Sequence, residues 1–147
     1  MTSFLQQYQG NFKSTLRWPD LAAFWEVLRQ HNKGQWYIYA VGETPPSKAA
    51  AAAVLDEFIS ATDELLRREH AEDYCGIVYA DDLQTPTMVK IYDPNNLGVV
   101  CGFSDNPPLP AWVLSLMPPE DLPLAFPPPG NRRRWWQKIL GTATRQA

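Results

Sequence analysis

Three hydrophobic rhythms divide the chain. Leu21, Phe24, Trp25 and Leu28 recur at helical spacing, which predicts an amphipathic helix over 19–33. Pro19 and Asp20 suit its first turn, and Gly34 its end. The stretches 35–41 and 74–82 are rich in aromatic and β-branched residues and read as strands. Both faces of 74–82 are apolar, so this strand is expected to be covered on both sides. Residues 87–93 place Val89 and Ile91 on one face and Met88, Lys90 and Tyr92 on the other, a strand with one wetter side. Residues 99–103 form a fourth strand, preceded by the turn 93–98 and stopped by Pro107 and Pro108.

A long helix is predicted over 48–72, with Ser47 as its N-cap. Its buried face is expected to carry Ala51, Val54, Leu55, Phe58, Thr62, Leu65 and Leu66. Residues 1–17 hold scattered aromatics (Phe4, Tyr8, Phe12) and fit a strand, a short helix or an arm equally well.

Joining strand 35–41 to strand 74–82 through a helix makes a βαβ crossover with the two strands parallel. The short connections that follow make a meander. The expected fold class is therefore α+β: one two-layer domain with a mixed four-stranded sheet on two helices. Residues 1–106 would be the core domain, 107–130 a proline-rich segment packing on it, and 131–147 a basic, tryptophan-bearing helix and tail. Nine of the 14 prolines lie from Pro107 onward, and in the apolar run 109–117 Trp112, Leu116 and Met117 are expected to pack on the core.

Composition narrows the function classes. Hydrophobic residues are 45% and charged residues 20%, which favours a folded domain over a disordered chain. The net charge of −3 argues against general nucleic-acid binding. No secretory pattern opens the chain and no apolar run reaches membrane length, so the expected location is cytoplasmic. Cys75 and Cys101 fall in predicted strands separated by a third, where a disulfide is not expected.

Catalytic motifs are not evident: no G-x-S-x-G, no phosphate-binding glycine loop and no zinc spacing occur. His31 and His70 sit where helix ends favour cations. The expected role is non-catalytic, an accessory or adaptor protein with no cofactor. It would bind another protein through its C-terminal third. Arg132, Arg133 and Arg134 lead into Trp135, Trp136, Lys138 and Ile139. Arginine and tryptophan are enriched at binding hot spots. Three arginines at a helix start oppose its dipole, a cost an anionic partner would offset. A membrane surface is not the expected target.

Two alternatives follow from the expected topology. The parallel pairing would gather Glu43, Asp81, Asp82 and Asp105 on one sheet edge, a setting for a divalent metal or a small enzyme. The plainer reading is that these acids make turns. The other alternative is self-assembly as a homodimer.

Overall fold

A computed structural model describes residues 3–15, 17–69, 77–93 and 109–126. The order of elements is α1 (Phe4–Tyr8), β1 (Lys13–Ser14), α2 (Trp18–Gln30), β2 (Tyr37–Ala40), α3 (Ala52–Glu69), β3 (Val78–Ala80), β4 (Met88–Ile91), β5 (Trp112–Ser115) and α4 (Leu122–Ala125). The fold class is α+β, as expected.

The sheet differs from the expected one. It has five strands in the order β1-β3-β4-β5-β2, and every pairing is antiparallel. No crossover pairs β2 with β3. They run in opposite directions, with β4 and β5 between them. Of these two, β5 comes from the proline-rich segment expected to pack on the core. Val113, Leu114 and Ser115 are fully buried, so both faces of this strand are covered. Its prolines do not interrupt it: Pro110 precedes the strand and Pro118 follows it. The predicted strand 99–103, both cysteines, His70 and residues 131–147 lie outside the described residues.

Register sorts the side chains into two layers. Ala80, Val89, Leu114 and Ile38 form one cross-strand row, and Val78, Ile91, Trp112 and Ala40 the next. This face packs against α2 and α3 through Leu21, Phe24, Trp25, Leu28, Leu55, Ile59 and Leu66. The apolar stripe predicted for α2 is all buried. Pro19 lies in its first turn, and the Asp20 carboxylate accepts from the Arg17 N–H at 3.3 Å. At its other end the His31 ring nitrogen Nδ1 lies 2.9 Å from the Val27 carbonyl.

The α3 face is rotated from the expected one. Leu55, Ile59, Thr62 and Leu66 are buried, while Val54 is 50% exposed. The helix also begins at Ala52 rather than Lys48. The Ala50 N–H donates to the Trp36 carbonyl at 2.7 Å, holding that residue beside β2. The Asn32 amide donates to the Ala52 carbonyl at 2.8 Å. These tertiary bonds outweigh the helix propensity of the preceding alanines.

The opposite face carries Tyr39, Val113, Lys90, Tyr79 and Ser14 in one row. It is covered by α1 and α4, with Phe4, Tyr8, Met88 and Leu122 buried there. The α1 helix starts at a capping box in which the Ser3 hydroxyl accepts from the Gln6 N–H at 3.1 Å and the Gln6 side chain accepts from the Ser3 N–H at 2.9 Å.

Candidate functional site

The expected acidic edge is not assembled. Asp81 and Asp82 follow β3, and Glu43 follows β2. Because these strands run in opposite directions, the acids leave the sheet at opposite ends. Asp105 lies outside the described residues. Among the described residues no group of three or more His, Cys, Asp or Glu could hold a metal ion.

Asp81 has a structural task. Its Oδ1 accepts from the N–H groups of Thr87 at 2.9 Å and Met88 at 3.0 Å. Its Oδ2 accepts from the Gln7 amide at 3.2 Å and from the Thr87 hydroxyl. One carboxylate therefore closes the β3–β4 connection and ties α1 to it. Asp82 closes the same connection from outside, accepting from Gln84 N–H at 2.8 Å and Thr85 N–H at 3.0 Å. The Thr85 and then the Gln84 N–H hold its carboxyl below the usual range. Two of the four expected ligands are thus turn formers.

Other described acids are similarly engaged. Asp63 accepts from the Trp25 indole at 3.1 Å and pairs with Arg67 at 2.9 Å, linking α2 to α3. Asp121 caps α4 by accepting from the Leu124 N–H at 3.0 Å.

The structure offers instead an open apolar groove of about 520 Å³ at the β2 margin of the sheet. Ile38 of the edge strand, Ala50 of the connection, and Val54 and Phe58 of α3 line it, with Lys48 and Glu57 supplying charge. The connection from β2 to α3 is fastened to β2 at both ends, by Glu43 N–H to the Ala40 carbonyl at 3.0 Å and by Ala50 N–H to the Trp36 carbonyl. Phe58 is steadied by an edge-on contact with Trp112, ring centroids 5.8 Å apart. Val54, expected on the buried stripe of α3, lines this groove instead.

The other unusual group is Lys90. It stands on the central strand β4, on the face covered by α1. Its ammonium lies 4.0 Å from the Tyr8 ring centroid and 3.9 Å from that of Phe12. Burial pushes its amine down to about 8. Burial is also the main reason the Tyr92 phenol is pushed up to about 12 and the Tyr8 phenol higher still.

The seven C-terminal residues expected to touch a partner all lie outside the described residues. No protein-family model, curated protein or solved structure matches this chain.

Proposed function

We propose that this chain is a cytoplasmic, non-catalytic accessory protein that binds another protein, using the groove beside β2 together with the C-terminal Arg- and Trp-bearing segment. The observation that carries the reading is the groove itself. Ile38, Val54 and Phe58 present an apolar surface, and Val54 is half exposed. An exposed apolar patch set among charged residues suits protein contact. Arg132, Arg133, Arg134, Trp135 and Trp136 supply residue types enriched at binding hot spots, with Lys138 and Ile139 beside them in sequence. Two residues of the metal alternative, Glu43 and Asp81, leave opposite ends of the sheet, which favours the binding reading.

The test compares the full chain with Val54→Glu and with a chain ending at residue 130. The full chain should recover one defined partner at constant stoichiometry, measured by light scattering of the purified complex. Each variant should lose that complex while retaining the helical circular dichroism of the parent. If both variants retain the complex, the reading fails. A complex containing only two copies of the chain would replace it with self-assembly.

A further inference from the structure

Lys90 sits in an arrangement that folding alone does not demand. A methionine or leucine at this position would fill the same space under Tyr8 and Phe12 without bringing a charge out of water. The amine is instead enclosed by a short N-terminal segment, with the Tyr8 and Phe12 rings over it. Residues 3–14 comprise a five-residue helix and a two-residue edge strand. They are held to the sheet by Gln7 on Asp81, by Phe4 edge-on to Tyr39 and by the β1–β3 pairing.

We propose that Lys90 makes the seating of residues 3–14 proton-linked, so that the segment docks more tightly as the amine loses its proton. The reason is a cycle. Undocked, Lys90 is in water and holds its proton over the ordinary lysine range. Docked, it lies between two aromatic rings with no ion pair among the described residues. Ring faces attract the cation, but they replace only part of its lost hydration.

The surrounding groups leave this balance to the lysine. The segment itself presents Tyr8, Phe12 and the neutral amide of Gln7, with Ser14 and Lys13 on β1. The sheet presents Tyr79 from β3, Val113 from β5 and Tyr39 from β2, with Tyr92 and then Asp93 following β4. Asp81 is occupied by Gln7, Thr87 and Met88, and Asp121 caps α4. The Tyr8, Tyr39 and Tyr92 phenols are pushed upward, Tyr92 to about 12, so these three keep their protons across the pH range in which Lys90 changes.

The sign follows from linkage. The docked state binds fewer protons than the undocked state above a pH of about 8, so docking strengthens as pH rises. Between pH 7 and 9 the docking equilibrium should gain about tenfold.

Amide hydrogen exchange of residues 4–14 in the full chain reads this directly, corrected for intrinsic chemistry and referred to α3 amides. The parent protein should gain about tenfold protection relative to α3 from pH 7 to 9. Lys90→Met should be strongly protected at both pH values, and Lys90→Arg, always charged, weakly protected at both. The proposal is overturned if the parent shows no gain over α3, or if either variant that folds retains the gain.

Discussion

The Tyr39 phenol accepts a hydrogen bond from the Leu122 backbone N–H at 3.1 Å, joining residues 83 positions apart. Leu122 opens α4, and a first-turn N–H has no partner within its own helix. Tyr39 supplies that partner from β2, so the sheet fastens the helix that covers it. Tyr39→Phe keeps the ring against Phe4 but leaves a buried N–H unsatisfied. The expected cost is about 1–2 kcal/mol. It is read as a fall of several degrees in Tm with an unchanged fold by circular dichroism.

Asp81 and Asp82 are neighbours in sequence with unequal work. Asp81→Asn turns an amide toward the Gln7 amide and the Thr87 hydroxyl, both now donors to a carboxylate. It should cost about 2 kcal/mol in chemical denaturation. Asp82→Asn retains an oxygen for the Gln84 and Thr85 N–H groups and should leave the denaturation midpoint close to that of the parent. Millimolar Mg²⁺ or Ca²⁺ should leave the Tm of the parent unchanged; a rise that Asp81→Asn abolishes would restore the metal reading.

Two apolar residues five positions apart on α3 separate the core stripe from the groove. Ile59 is fully buried and Val54 is half exposed. Ile59→Ala should cost about 3 kcal/mol, through lost burial and the cavity left behind. Val54→Ala should cost less than about 0.5 kcal/mol while weakening partner recovery. Urea unfolding midpoints of the two variants test the contrast.

Alkaline stability should be governed by the phenols. The Tyr92 phenol is raised to about 12 in the folded protein, chiefly by burial and secondarily by Tyr79. A raised acid stabilises the fold below its unfolded value of 10.0, and that contribution is lost as pH climbs through the folded value. Stability should therefore fall between about pH 10 and 12. Tyr92→Phe should flatten this arm of the curve, and thermal melts across pH 9–12 measure it.

The element types were largely legible in the residues. Leu21, Phe24, Trp25 and Leu28 at helical spacing announced α2, and all four are buried. The aromatic and β-branched runs announced β2, β3 and β4. The Ser3–Gln6 capping box marks α1 within a segment whose scattered aromatics also fit a strand or an arm. The α3 stripe was displaced because five consecutive alanines carry no phase: any of several faces suits them until Leu55, Ile59, Thr62 and Leu66 meet the sheet.

Sequence by itself determined that this chain alternates helices with strands and closes one α+β domain, because side-chain periodicity is a local property. Which strands meet was decided only in three dimensions. Val113 and Leu114 point to opposite faces of the sheet, and between β4 and β2 both are fully buried. That insertion reverses β2 relative to β3, sends Glu43 and Asp81 to opposite ends and opens the groove at Val54. Such pairings depend on residues far apart along the chain, whose contacts no local pattern records.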